Sequence, residues 1–482
     1  MVTDHKTLFI GGEQIPASST ERIEIRSATT EEVVGTAPCA DNVDVDAAVA
    51  AARRAFEDPG GWSAWSVEDR ASAIERLADE VAARADRITH FVSSQNGMPT
   101  VIAGPLESDM PVKIYRYYAD LIRRTELEET RPGLLCGRAI VRRAPIGVIA
   151  AIVPWNYPNL ITAIKSAPAL AAGCTVVLKP SPETVLDSYV FAEAVAAAGI
   201  PAGVINIVPG RADTGSYLVS HRGVDKVSFT GSTAVGRQIA KTCGELLRPV
   251  TLELGGKSAA IILDDADLSG NIEGLFQATL LNNGQTCVVN GRILVPRNRF
   301  DESRDFLAAL LNGAVVGDPL DPATQIGPMV TEVHRGRVEG HIARAKADGA
   351  RAVVGGGRPA GLDRGWFVEP TLFTDVDPSS ALAQQEVFGP VLALMPYDDV
   401  EQAVQIANDS SYGLAGTIWT ADEARGIEIA EQIQSGTVGV NYYMLDPVAP
   451  FGGIKASGLG RELGPEGLSS CLRHHTTYLS TI

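Results

Sequence analysis

Gly147-Val148-Ile149-Ala150-Ala151-Ile152-Val153 is an apolar run rich in branched residues, and three more of its kind follow at 175–178, 204–208 and 226–229. Between and after them lie Ala-rich, helix-compatible stretches at about 160–172, 183–198, 212–219 and 233–243. Strand, helix, strand, helix at this spacing predicts a parallel sheet with helices on its faces. Ligands of such sheets bind beyond the carboxyl ends of the strands. The residues standing at those ends are Asn156, Lys179, Gly210 and Gly231-Ser232. One cation and two glycine turns at one sheet edge suit a phosphate-bearing cofactor. The fingerprint G-x-G-x-x-G is absent there, but Gly231-Ser232-Thr233-Ala234-Val235-Gly236 has a wider glycine spacing and opens a helix whose amides can hold pyrophosphate.

Outward from this core, the preceding part of the chain reads as helical. Ser66-Val67-Glu68-Asp69 has the form of a capping box, with Ile74, Leu77 and Val81 following at helical spacing. After residue 254 a second alternation appears: strand-like 259–263, 293–295, 352–354 and 391–395 with helical 300–312 and 331–348. Two β-prone pieces fit neither region, about 124–145 and the tail from Thr476, and could pair with each other or across a subunit boundary.

At 482 residues the chain is too long for one core. Its 45% hydrophobic and 21% charged residues are those of a globular protein. A net charge of −17 speaks against nucleic acid, whose phosphates need clustered Lys and Arg. Six cysteines without a Cys-x-x-Cys spacing speak against zinc or a disulfide framework, so no metal is expected and the thiols should be reduced. The start, Met1-Val2-Thr3-Asp4-His5-Lys6, has no charged-then-apolar signal pattern, and the apolar run 147–154 is far short of the ~20 residues a membrane helix needs. A cytoplasmic protein with no membrane partner is expected.

Two residues carry the candidate chemistry. Glu253, in Leu252-Glu253-Leu254-Gly255-Gly256-Lys257, precedes Cys287, in Asn283-Gly284-Gln285-Thr286-Cys287, by 34 positions. A cysteine among slim neutral neighbours is a candidate nucleophile, and a carboxylate among leucines and glycines is a candidate base whose pKa burial raises. The bland alternatives are a small core hydrophobe and an ordinary turn. Taken with Pro154-Trp155-Asn156-Tyr157-Pro158 and Glu386-Val387-Phe388-Gly389-Pro390, in this order, the chain resembles the aldehyde dehydrogenase superfamily. The resemblance runs from Phe9-Ile10-Gly11-Gly12 to Pro450-Phe451-Gly452-Gly453 and on to Gly460.

The resemblance implies three domains: a Rossmann-type cofactor domain (1–123 and 146–253), a second α/β catalytic domain (254–450) and a small β oligomerisation unit (124–145 and 461–482), in a homodimer or homotetramer. It implies oxidation of an aldehyde to a carboxylic acid with NAD, NADP remaining open. Cys287 would attack the aldehyde. The side-chain amide of Asn156 and the Cys287 N–H would hold the oxyanion, and Glu253 would activate the water that hydrolyses the thioester. Trp155 and Lys179 would line the adenosine-ribose side, with Gly210 and Gly231 as the glycine turns and Ser232 at the pyrophosphate. Glu386 and Phe388 would position the nicotinamide ribose and ring. Lys257 and Gly255 would support the fold around Glu253.

One departure touches the cofactor. Where NAD-preferring relatives often carry Glu three positions after the lysine, this chain has Pro182, with Glu183 next, and no arginine is expected nearby to bind a 2′-phosphate. The substrate tunnel implied by resemblance is Met110, Tyr157, Leu160, Ile164, Thr286, Val288, Leu445 and Phe451, and the 441–450 loop carries no Arg, Lys or His. An uncharged apolar or aromatic aldehyde is expected, because a distal carboxylate would be buried unpaired. The alternatives are a cationic, betaine-type aldehyde held by Tyr157, Tyr442 and Tyr443, or a non-catalytic binding protein on the same fold.

Overall fold

A computed structural model describes residues 2–480. Met1 and the last two residues of the expected tail lie outside the described residues.

Five parallel strands form the centre of an eight-stranded sheet, in the order Val250–Glu253, Lys226–Thr230, Val148–Ile152, Thr175–Lys179 and Ile205–Ile207. Val148–Ile152, Thr175–Lys179 and Ile205–Ile207 are buried at every position, which is why they read as unbroken apolar runs rather than as alternation. The chain runs outward from Val148–Ile152 to one side, then returns to lay Lys226–Thr230 on the other. That reversal opens a crevice at the carboxyl ends of these two strands.

Helix Pro158–Ala172 covers one face of this sheet. Proline at its first position is pre-set for a helical start, and Gly173, at φ +94°, ends it in the left-handed conformation. All its residues are buried, and its alanines let strands and helices approach closely. Helix Thr233–Glu245 is capped by Ser232, whose Oγ accepts from the Val235 N–H.

The second sheet has seven strands, six of them parallel, with Arg351–Val354 antiparallel at one edge and Gly439–Val440 at the other. The β-prone tail pairs within the chain: Leu472–Leu479 runs antiparallel to Arg138–Pro145, which pairs with Glu128–Pro132.

The structure corrects the sequence reading at the start of the chain. Residues 3–38 are strands, not helix. Thr7–Ile10 and Glu13–Pro16 extend the cofactor-side sheet by a hairpin at its far edge, and Arg22–Arg26 pairs with Val33–Pro38 in a separate small sheet. Arg22-Ile23-Glu24-Ile25-Arg26 does alternate, with both isoleucines buried, and that signal stood in the sequence; Glu13–Pro16, mostly exposed, carries none. Gly458–Leu459, outside every expected domain segment, pairs with Val250–Glu253 and closes the other edge. Among the described residues, no helix is long and apolar enough to cross a membrane.

Candidate active site

Glu253 is the last residue of its strand, and its position beside Cys287 depends on the two glycines that follow. A Cβ on Gly256 would lie 2.3 Å from the Cys287 carbonyl oxygen, and one on Gly255 would lie 2.5 Å from Glu386 Oε2. Only glycines let the strand end, the cysteine loop and the Glu386 segment meet here. The Gly256 N–H donates to Glu386 Oε1 at 2.9 Å.

Cys287 follows a tight turn in which Asn282 and Asn283 are left-handed, at φ +51° and +62°, a conformation that asparagine tolerates better than most residues. Buried amides hold the turn. Asn283 Nδ2 donates to the Gly97 and Pro328 carbonyls, and the Gly327 N–H donates to Asn283 Oδ1. Asn282 Nδ2 donates to the Asn156 carbonyl at 3.0 Å, and Asn96 Nδ2 donates to the same carbonyl at 3.2 Å. Asn156 is thus pinned through its backbone. Its own Nδ2 donates to the Gln285 carbonyl at 3.0 Å, two residues before the cysteine. A carboxamide carries two N–H groups, so one remains for the cavity that Asn156 lines.

That cavity, of about 80 Å³, is lined by Cys287, Glu253, Asn156 and all eight expected tunnel residues. Leu106, Ile114, Met444 and Glu462 also line it and were not among the expected residues, although Ile114 lies one turn after Met110 and Met444 beside Leu445. Two of its hydroxyls are already engaged. Thr286 Oγ1 donates to the Leu281 carbonyl at 2.9 Å, so the Tyr157 hydroxyl donates to Thr286 at 2.7 Å. Tyr443 bonds to Thr437. Tyr442, the third tyrosine of the cationic-substrate reading, is 59% exposed and lies outside this cavity, so no three-tyrosine cage forms. The arginines of helix Met110–Arg123 point away: Arg116 pairs with Asp79, and Arg123 with Glu68 and Glu75.

Electrostatically the floor of the cavity is acidic. Both oxygens of Glu253 are buried without a hydrogen-bond partner. Burial, then the neighbouring Glu462 carboxylate, push its pKa well above the ordinary value, with Lys165 and Arg461 opposing. Glu462 is paired: Lys165 Nζ lies 2.7 Å from its Oε1, and Ser228 Oγ donates to the same oxygen at 2.9 Å. The Cys287 thiol is pushed upward by burial and then by the Glu386 and Glu253 carboxylates.

Of the expected cofactor residues, Glu386 and Phe388 line a small pocket with Thr286, and Lys179 meets Gly210 at the ends of their strands. Lys179 Nζ, at the end of its strand, donates to the Pro180 and Gly210 carbonyls at 2.7 Å each, leaving its third N–H free. Burial brings its pKa down to about 8. Glu183, hydrogen-bonded to Ser181 Oγ, is the strongest of the charges opposing that shift. Gly210 touches Thr214 and Gly231 touches Phe229 so closely that a Cβ would fit at neither. Ser232 opens the 13-residue helix Thr233–Glu245. Burial raises Glu386 to about 7.

The Trp155 ring lies 5.4 Å from the Phe388 ring and 5.2 Å from that of His334. One expectation is corrected here. An arginine does stand at the lysine end: Arg211 follows Gly210 and is ion-paired with Glu21. It comes from another strand end, out of reach of local sequence reading. A free lysine N–H at a strand end, a helix N-terminus and a half-buried carboxylate are groups that suit a dinucleotide.

Comparison with known proteins agrees with this geometry. The model of the aldehyde dehydrogenase family matches residues 15–477. The geranial dehydrogenase of Castellaniella defragrans is 52% identical, covering 99% of this chain and 100% of its own. The Mycobacterium tuberculosis aldehyde dehydrogenase complexed with NAD+ superposes with a TM-score of 0.97 at 46% identity, over 100% of both chains. Aldehyde dehydrogenase C of Pseudomonas syringae, solved as a mutant with NAD+ and octanal, gives 0.95 at 37% identity, over 98% of this chain and 96% of its own. The chain belongs to the aldehyde dehydrogenase family, and is an NAD(P)-dependent oxidoreductase of aldehydes.

Proposed function

We propose that this enzyme oxidises uncharged, apolar aldehydes, of the medium-length aliphatic or acyclic terpenoid kind, to carboxylic acids with NAD. The observation that carries this reading is the cavity lining. Its only ionisable side chains besides the cysteine and tyrosines are Glu253 and Glu462, and its Tyr157 and Thr286 hydroxyls bond each other. A substrate carboxylate would lose its hydration and meet like charge, whereas each buried methylene contributes ~0.8 kcal/mol. The geranial and octanal relatives are in keeping with it.

In this mechanism the Cys287 thiol gives up its proton to solvent and the sulfur attacks the aldehyde carbon. The free N–H of Asn156 and the Cys287 backbone N–H steady the oxyanion, each such donor being worth about 3–4 kcal/mol of barrier. NAD, when bound, accepts the hydride that turns the thiohemiacetal into a thioester. Glu253 then takes a proton from water, the hydroxide displaces the cysteine, and the acid leaves as the thiol is restored. Lys179 and Ser232 would bind the adenosine and pyrophosphate end, and Glu386 and Phe388 the nicotinamide end. Glu183 beside Lys179 favours NAD, whose ribose carries no phosphate.

The division into a cofactor domain (1–123 and 146–253), a catalytic domain (254–450) and an oligomerisation unit (124–145 and 461–482) belongs to the same proposal. So do a homo-oligomeric state and a cytoplasmic location. The hairpin tip carrying the fully exposed Leu134 and Leu135 is the surface such an assembly would cover.

The test is NADH and NADPH formation against geranial, octanal, benzaldehyde, betaine aldehyde and succinic semialdehyde. The apolar aldehydes should exceed the semialdehyde in kcat/KM by at least about tenfold, since four buried methylenes already approach that and more. Equal activity on the semialdehyde would overturn the apolar reading and leave the catalytic assignment standing.

A further inference from the structure

We propose that His334 is a positioning residue for the nicotinamide end of the site: its ring N–H, bonded to the Phe388 carbonyl, holds Phe388 in the conformation that presents its ring to Trp155. The inference rests on the reading of Phe388 as part of the cofactor platform.

Phe388 has φ +59°, a left-handed conformation that a bulky L residue resists. Something outside the turn must hold it. Helix Glu332–Ala347 packs there and grips the turn at two adjacent points. His334 Nε2 lies 2.7 Å from the Phe388 carbonyl oxygen, and Val338 lies so close to Gly389 that a Cβ there would meet it at 2.7 Å. A carbonyl only accepts, so Nε2 carries the proton and the tautomer is decided. Burial, with Arg337 and His341 on the same helix, keeps the ring neutral, its pKa lowered to about 4.

The three rings then form a box. Trp155 meets Phe388 edge-on at 5.4 Å and 85°, and His334 contacts Trp155 at 5.2 Å and Phe388 at 5.9 Å. The helix is itself tied to the cysteine loop, since the Val330 N–H donates to Gln285 Oε1 at 2.9 Å and Thr331 Oγ1 accepts from the His334 N–H. His334 therefore links the turn that carries Phe388 to the loop that carries Cys287.

The test compares His334→Leu and His334→Phe, which lack the donor, with His334→Gln, whose amide can supply one. Three quantities are read: affinity for NAD, affinity for ADP-ribose (which lacks the nicotinamide), and the single-turnover rate of NADH formation. The donorless variants should slow hydride transfer by about tenfold or more, as small misplacements of reacting groups do. They should weaken NAD but leave ADP-ribose binding and the KM for aldehyde unchanged. The Gln variant should recover most of the rate. Unchanged hydride transfer in both donorless variants would overturn the inference, as would equal losses of NAD and ADP-ribose affinity or failure of Gln to recover the rate. Should one donorless variant fail to fold, the other carries the comparison. Phe388→Leu separates the two readings: if it leaves hydride transfer unchanged, the platform reading fails, whereas a slow Phe388→Leu beside a normal His334→Leu removes only His334.

Discussion

Glu253 and Glu462 line the same cavity floor, yet only Glu462 has a counterion. Lys165 Nζ sits 2.7 Å from Glu462 Oε1, its side chain wholly buried, while neither oxygen of Glu253 has a hydrogen-bond partner. Pairing one carboxylate and stranding its neighbour divides their labour. The paired one stays put as a fixed charge. The stranded one is held ready to take a proton, at a cost to the fold that the enzyme carries permanently.

Glu253→Gln should therefore separate two steps of catalysis. The first turnover of NADH should form at close to the normal rate, followed by turnover slowed by at least about a hundredfold, the range for loss of a general base. Stopped-flow absorbance at the NADH band reads both phases. A first turnover slowed as much as the steady state would require another role for Glu253.

The same variant should be more stable than the parent at neutral pH, by about 1–3 kcal/mol, because an unpaired buried charge is removed. The sign follows from the raised folded-state pKa. Below about pH 4, the ordinary range of a Glu in the unfolded chain, both states hold the proton and burying the group carries no charge penalty. As pH rises from there, the parent loses stability relative to the variant until the folded-state carboxyl has also ionised. Thermal melts of both proteins between pH 4 and 8 should show a gap that widens with pH.

Glu462→Gln should move the rising limb of the kcat–pH profile to lower pH, since the Glu462 charge is second only to burial in raising Glu253, and Lys165 remains to oppose it. Lys165→Met should instead destabilise by about 3–5 kcal/mol, leaving Glu462 buried without its counterion. An unmoved limb in Glu462→Gln would mean that the two carboxylates do not communicate.

Gly452 stands at φ +155°, where a Cβ would lie 2.7 Å from Glu253 Oε1 and 2.8 Å from the Gly460 carbonyl oxygen. Gly452→Ala should displace Glu253 and slow deacylation by about tenfold or more, with NAD affinity preserved. The pre-steady-state burst seen for Glu253→Gln should reappear in milder form.

Asn96→Ala removes a fully buried amide that donates to the Trp155 and Asn156 carbonyls. Two carbonyls would lose a donor, a loss of about 1–3 kcal/mol in stability. The Asn156 amide, proposed above to hold the oxyanion, would also be less firmly held, so kcat should fall more than KM rises. Steady-state kinetics on octanal with a parallel melt would show whether both effects occur.

Much of this was legible along the chain. The runs at 147–153, 175–178, 204–208 and 226–229 announced a parallel sheet because strands buried on both faces read as apolar runs, a property local enough to read from composition. Glu253 stood out as a carboxylate among leucines and glycines, Cys287 as a cysteine among slim neighbours and Asn156 as the residue after a strand, and the segments carrying them together resemble one family. Tertiary structure alone decided the rest. Lys165 reads as one polar residue in an apolar helix and Glu462 as an ordinary acid, 297 positions apart, until folding seals them together away from water. In residues 3–38 only Arg22–Arg26 alternates along the chain, whereas the pairing of Thr7–Ile10 is settled by the sheet edge it joins. Arg211, Trp155 and His334 owe their neighbours to the ends of different strands and helices. Local sequence encodes backbone preference and burial, whereas which charges and rings meet depends on contacts that exist only once distant segments close on one another.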